Sequence, residues 1–519
     1  GSSRFSAQEL AAWGRRPLRS DVWRGMADKG KGGDKGKGKG AKSKGKGPHA
    51  NHYYIDGKVY DFSEWKNIHP GGPAFFAVSY QRDISAAVHA YHAYPERLTP
   101  ILEKYEVNMA DFDNKEPREI LTQDMNAPAF ILPPNFDARR DVPTYDWDKP
   151  FMGKLRKKLF TPEMQRKIRA ADKAFDVTAA CLLAVHVFVS FPALYLNILP
   201  GWLWIVLQFL TRTSLAGVGH YFCHRKAGDG QSGWGLYLFD MQYVGASTVL
   251  SDGHVMLHHL YTETPADVKR TVFNFMITIP RLLRVPLFTA QKFGEFFTGH
   301  LLRQKDYATA YEHGFWMRLK IGCKKMCKGN RGIHSLMVAE FLWAALCSKI
   351  HLWFLQFFFV VWISIFQIVA SHDFEVVRED QEYKNLDWGI FQIQHALDTY
   401  VTGIKYIDIF LSAGLSCHRA HHVLPYQKSG FANIVSEECV KETCKEFGVE
   451  WAPARNLILD RFLPLMFHYL TVPAQIPAHP KAIIIGGGGV KGFFLEHLQP
   501  DVIIKGLKDV ARGFSGASI

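Results

Sequence analysis

Cysteine is scarce and scattered: eight residues in 519, with no tight framework of the disulfide-scaffold kind. Cys323 and Cys327 are separated by three residues among lysines, and no second pair completes a zinc site. This lack suits a reducing, cytosol-facing environment. The N-terminus has no compact apolar core of the signal-peptide type, so a cleaved secretory leader is not expected. The sequence starts at Gly1 without Met, which leaves upstream targeting open. Any flavin or nicotinamide fingerprint is also missing. The run Gly486 to Gly489 follows a strand-like AIII but lacks the spaced glycines of a dinucleotide loop, so it reads as a loop. One stretch, Val177 to Leu199, contains no Asp, Glu, Lys or Arg.

What is present divides into two populations. Overall, 47% hydrophobic and 21% charged residues look like an ordinary globular average. Residues 1–50 instead form a Lys/Gly-rich arm, with eight lysines between Lys29 and Lys46; a segment with so little apolar content reads as disordered. The net charge of +13 owes much to this arm. A basic balance suits nucleic acid, an anionic membrane surface or solubility. The apolar runs elsewhere favour membrane lipid, and no nucleic-acid partner is expected.

Residues 52–112 read as a small folded domain, because HYYIDGKVYDF alternates apolar and polar residues around the turn former Asp56-Gly57. A Pro-containing linker (113–150) carries Pro128, Pro133, Pro134, Pro143 and Pro150. The cation-rich run FMGKLRKKLFTPEMQRKIRAADK reads as a helix lying on a membrane surface or as a solvated cytosolic helix. Within 151–470, apolar runs predict transmembrane helices near 177–199, 201–219, 332–348 and 352–371. Pro200-Gly201 breaks the first pair, Ser348 to His351 turns the second, and the short third run carries Glu340. Two such hairpins leave all outer ends on one side, and their Lys and Arg content makes that side cytosolic. Residues 471–519 form a C-terminal tail.

His69-Pro70-Gly71-Gly72 follows the hairpin, and His92 comes twenty-three residues after His69. Two imidazoles suit the opposite faces of a haem iron, and glycine lets backbone approach a flat ring closely. The tetrapeptide alone also marks an ordinary turn. The whole run GKVYDFSEWKNIHPGGPAFFAVSYQRDISAAVHAYH resembles the cytochrome b5 domain. That resemblance implies a small α+β domain binding haem b, with His69 and His92 as axial ligands and Gly71 and Gly72 beside the cofactor. His89 is the rival second ligand. His92 is preferred because the preceding RDI-S and the Tyr-His ending match the form fused to lipid-modifying enzymes.

Eight further histidines cluster just outside the apolar runs: His220 and His224 in HYFCH, His254, His258 and His259 in HVMLHH, and His418, His421 and His422 in HRAHH. Positions i, i+3 and i+4 share a helix face, so each cluster aims at least two imidazoles at one point. Imidazole suits iron, copper and zinc. About four ligands saturate one zinc, so eight converging histidines suit two metal ions. His186 and His351 are isolated on apolar faces and read as core residues.

These clusters resemble the histidine boxes of membrane fatty-acid desaturases and related hydroxylases over roughly residues 175–435, with the HHVLP after the last box included. The resemblance implies a di-iron centre and an all-α membrane domain of four transmembrane helices in two hairpins plus cytosolic helices. A ninth ligand is carried over to His372 in ASHDFE, with His395 as an outside candidate. The implied chemistry is O2-dependent removal of hydrogen from a fatty acyl or sphingolipid chain, carried as acyl-lipid or acyl-CoA. Electrons would come from the b5 haem, itself fed by an NAD(P)H-dependent cytochrome b5 reductase, at the endoplasmic reticulum with both centres facing the cytosol. Two positions depart from the front-end desaturase pattern: Tyr221 replaces Asp in the first box, and His418 replaces Gln in the third. A sphingolipid desaturase, a lipid hydroxylase on the same scaffold and a membrane-anchored b5 electron carrier are the competing readings. A zinc hydrolase would leave the b5 domain without a role.

Overall fold

The alternation that opens the folded chain becomes a hairpin. In the computed structural model, β1 (His52–Ile55) pairs antiparallel with β2 (Lys58–Asp61), Tyr53 opposite Tyr60. Asp56 and Gly57 both take positive φ, 50° and 76°, as a two-residue hairpin turn of right-handed twist requires. After helices α1 (Ser85–Tyr91) and α2 (Thr99–Tyr105), β3 (Glu106–Val107) returns to the free edge of β2. Tyr53, Ile55, Tyr60, Phe62, Phe76 and Ile84 close a core between sheet and helices. The structure describes residues 52–514 except 73–74, 77–78, 80, 109–136, 226–237, 244–249, 265, 268–278, 295, 297–315, 318, 321–322, 324–331, 373–382, 477–482, 485–488 and 499. The Lys/Gly arm, most of the linker, Cys327 and Gly486 to Gly488 thus lie outside the described residues.

The remainder is mostly helical. The cation-rich run expected on a membrane surface does something else. It breaks at Phe160-Thr161 into α3 (Pro150–Leu159) and the start of α4 (Pro162–Val185), whose Thr161 cap accepts from the Met164 amide at 3.3 Å. On α3 the apolar face of Phe151, Met152, Leu155 and Leu159 is buried against Trp388, Val423, Leu424 and Val440. Its lysines pair outward, Lys158 with Glu442 and Glu446. Amphipathic spacing alone does not distinguish a protein core from a bilayer as the apolar partner.

Of the four expected spans, two lie on helices long and apolar enough to cross a membrane among the described residues: 34 residues over Pro162–Tyr195 and 18 over Ile350–Gln367. The other two expectations fall on α5 (Gly201–Cys223) and, beyond α6 (Arg281–Gly294), on the shorter α7 (Gly332–Leu346). Helix α5 carries buried Gln208, Thr211, Arg212, Thr213 and Ser214. Gln208, Thr211 and Arg212 meet partners across the helices. The Arg212 guanidinium bonds Glu340 of α7 and, at 3.0 Å, Gln208; His186 holds the other Glu340 oxygen at 2.5 Å. In a low-dielectric surround such groups are tolerated when each is paired. His186 is thus a satisfied core residue, as expected. His351, at the start of α8 (Ile350–Val369), is exposed, which corrects its reading as core.

Helices α10 (His418–Val423) and α11 (Gly430–Glu446) pack over the end of α5 where the first histidine box lies, and α9 (Trp388–Gln394) packs with α10 and α3. The tail contains two helices, α12 (Gly489–His497) and α13 (Pro500–Phe514), and Gly506 of α13 fits closely against Leu287 of α6. Residues 51–519 form one compact unit.

Candidate haem and metal centres

His69 sits where the chain leaves the hairpin, and His92 caps α1. Their ring centroids are 5.9 Å apart with planes at 60°. Phe76 stands edge-on to His69 at 5.1 Å. The His92 Nδ1–H donates to the Val88 carbonyl at 2.8 Å, which fixes the tautomer and leaves Nε2 as the lone-pair nitrogen. Burial, with His92 nearby, holds His69 down to about 4; burial also lowers His92. Both rings are neutral at neutral pH, the form that can bind a metal. Gly72 takes φ +87°, and a Cβ on Gly71 would meet His69 Cε1 at 2.8 Å, so the glycines permit this turn. The buried His69 Nδ1 has no hydrogen-bond partner. Opposed neutral rings and an unpartnered nitrogen fit an axial pair across a flat macrocycle. His89 turns away: it bonds Asp56 at 2.9 Å and stacks on Trp147 at 4.7 Å.

The box histidines assemble from four segments of chain into two groups. His220, His224, His254, His259 and His421 form one; His258, His372, His418 and His422 form the other. All nine are buried, and within each group the candidate ligand atoms lie within 4.8 Å of one another. Nε2 of His254 is 2.9 Å from that of His220 and 3.1 Å from those of His224 and His259. In the second group the His418 and His422 Nε2 atoms are 3.1 Å apart. So many imidazole nitrogens pointing at one another make poor hydrogen-bond partners but a good donor set for metal. Burial, then the neighbouring imidazoles, pushes His259 and His422 well below the usual histidine range, so they remain the neutral form that binds metal.

The middle box departs from the expected helix-face pattern. Leu250–His258 is a π-helix, whose wider turn brings i and i+5 together. His254 therefore joins His259, and His258 points into the second group. The third box sits on an ordinary helix, where His418 and His422 at i and i+4 share a group and His421 faces the other. His372 joins the second group, 4.6 Å from both His258 and His418 by ring centroids. His395 stays outside both groups, stacked on Phe391 with Nδ1–H donating to the Phe391 carbonyl.

Several supporting residues carry no signal in the sequence. Asp267 takes the His258 Nδ1–H at 2.9 Å, and Gln392 bonds both His422 Nδ1 at 2.9 Å and the His259 carbonyl at 3.0 Å. Such partners fix ring orientation and ligand basicity. Asp398 accepts from the Arg419 amide at 3.0 Å at the start of α10; burial pushes its carboxyl up to about 6 despite Arg419. Tyr221, where Asp was expected, is a back wall. Its hydroxyl donates to Gly414 O at 3.0 Å, and its ring lies 5.2 Å from His421.

The two regions also touch. Phe75 and Tyr91 pack on Cys223, Phe239 and Val255, and Tyr94 meets Phe160 at 4.1 Å. Burial holds the Tyr91 phenol well above its ordinary range.

Residues 196–453 match the family model described as fatty acid desaturase, and residues 43–110 match that of the cytochrome b5-like heme/steroid binding domain. Among curated proteins, the chain is 20% identical to acyl-lipid (8-3)-desaturase B of Dictyostelium discoideum over 436 residues, 76% of this chain and 86% of the relative. It is 22% identical over 438 residues to delta(5) fatty acid desaturase A of the same organism, covering 76% and 85%. No solved structure matches. The likeness thus runs through both centres in one order, an electron-carrying domain ahead of an oxygen-using one, and the chain belongs to the cytochrome b5-fused fatty acid desaturases.

Proposed function

We propose that this chain introduces a double bond into a fatty acyl chain carried on a membrane lipid. In this reading His69 and His92 hold haem b, and the nine histidines of the two groups hold two irons, each group one. The observation that carries it is the convergence of nine buried, mutually facing imidazoles into two groups, beside a docked domain with its own opposed pair. When bound, haem supplies single electrons and the irons supply O2 activation for removing two hydrogens from neighbouring methylenes.

The chain's own residues hold and orient. Asp267 and Gln392 each take the outward nitrogen of a ligand ring, which keeps the other nitrogen aimed inward. Tyr221 and Phe239 close the ring cluster from water. Four spans in two hairpins remain the preferred membrane arrangement. The support is a belt of exposed apolar side chains shared by all four helices, including Phe188, Ile198, Trp202, Leu210, Leu346 and Phe359, as lipid contact requires. The basic outer segments support a cytosolic orientation of both centres, most naturally at the endoplasmic reticulum. With no nucleotide-binding fold recognised in the sequence, an NAD(P)H-dependent cytochrome b5 reductase is the electron source.

The test is lipid profiling of a host expressing the full chain beside a His421→Ala control, fed several acyl substrates. A new double bond in the active strain alone is the expected result. A new hydroxyl group would assign the hydroxylase reading, and an unchanged profile with both centres loaded would leave the electron-carrier reading.

A further inference from the structure

The haem pair and the metal groups are brought together by one side chain. Tyr91 directly precedes His92, and its ring lies nearly parallel to that of His224 in the first box, 6.2 Å away with planes at 21°. That spacing is within the range of favourable aromatic pairs. Its hydroxyl donates to the Val255 carbonyl at 2.8 Å, and Val255 directly follows His254. One residue therefore reaches both the first and the second box, and its neighbour in sequence belongs to the haem pair.

The surrounding contacts hold it there. Phe75 packs beside Tyr91 on Cys223, Phe239 and Val255. Met256, next along, is buried in the core of the haem domain with Tyr53, Phe62 and Phe76. Arg156 donates to the His89 carbonyl at 3.2 Å, and Trp147 stacks on the His89 ring. The second box is thus clamped between the domains, and Tyr91 lays its ring against that of His224.

We propose that Tyr91 is the positioning residue for electron handover within the chain, fixing the gap from the His92 side of the haem to His224 and to the Val255-His254 peptide. The proposal rests on the reading of the two cofactors above. In each handover a ferrous haem gives one electron and becomes ferric, and one ferric iron becomes ferrous; the external reductase restores the haem. Tyr91 is neither oxidised nor deprotonated, since its proton stays on the bond to Val255. Because the donor is already docked, electron delivery within the chain is independent of protein concentration.

The experiment uses the full chain loaded with haem and iron, and Tyr91→Leu and Tyr91→Phe variants. After flash reduction of the haem without O2, haem absorbance follows its reoxidation. Positioned reactions lose on the order of 100-fold for a shift of about 1 Å, so Tyr91→Leu is expected to slow reoxidation at least about tenfold. Haem content, haem potential and iron content should stay unchanged, and Tyr91→Phe, which keeps the ring, should stay near the parent rate. A small dye that reduces the irons directly should restore product formation in Tyr91→Leu. In iron-free, haem-loaded protein, amide exchange at 254–259 should quicken in Tyr91→Leu, a readout that needs no turnover. Reoxidation as fast in Tyr91→Leu as in the parent overturns the role of Tyr91. If the parent haem itself stays reduced beside bound iron, the haem-to-iron reading fails instead.

Discussion

The two histidine centres are built in opposite ways. The haem pair comes from one short stretch: His69 and His92 are twenty-three residues apart, and the α1 helix and a glycine turn suffice to oppose their rings. The metal site gathers nine rings from His220 to His422, and its geometry depends on helices that meet only in the finished fold. A local site should tolerate disturbance of the distant helices. An assembled site should fail with any of them.

The most drastic way to probe this contrast is to remove one ring from each centre. His258→Ala should abolish product and lower non-haem iron while leaving haem absorbance intact; iron analysis and lipid profiling check it. His92→Ala should do the reverse, losing haem with iron retained, whereas His89→Ala should keep the haem spectrum. Loss of haem in His89→Ala with retention in His92→Ala would reverse the ligand assignment.

Next comes the buried trio of Arg212, Glu340 and His186, whose side chains belong to neither centre. Glu340→Ala leaves the Arg212 charge unpaired, and breaking a buried pair in this way costs about 3–5 kcal/mol. Thermal unfolding in detergent should show a large drop, with iron lost before haem. Equal loss of both cofactors would mean that the two sites are one cooperative unit. A smaller effect is expected for Asp267→Ala. Removing a partner that orients a metal-binding histidine costs about 10–100-fold in affinity, which iron titration against a chelator measures. Smallest is Gly414→Ala. Gly414 has φ +93°, and a Cβ there would lie 3.0 Å from Tyr221 Cε2 and 3.1 Å from His220 Nδ1. Strain of about 1–3 kcal/mol should lower the melting temperature modestly and leave the haem spectrum alone.

The same contrast explains what the sequence made legible. The hairpin, its Asp56-Gly57 turn and the opposed His69 and His92 follow from local pattern. So does the membership of the boxes, because histidine at close spacing is rare enough to stand out. The partition between groups was hidden, since the π-turn through Leu250–His258 moves His254 from His258 to His259. Asp267, Gln392 and Asp398 were hidden because their roles arise from tertiary contact. The covering of the amphipathic α3 was hidden for a related reason: its apolar face is evident, but whether Trp388 and Val440 or lipid covers it is decided by the rest of the fold.

The central claim is that one chain holds a haem and two further metal ions in separate histidine sites. Its most direct test is quantification of haem, iron and zinc in the purified full chain. One haem and two non-haem irons per chain are expected, matching the one opposed pair and the two groups, with both irons lost and the haem kept in a variant combining His258→Ala and His421→Ala. Haem alone, or zinc in place of the irons, would contradict it.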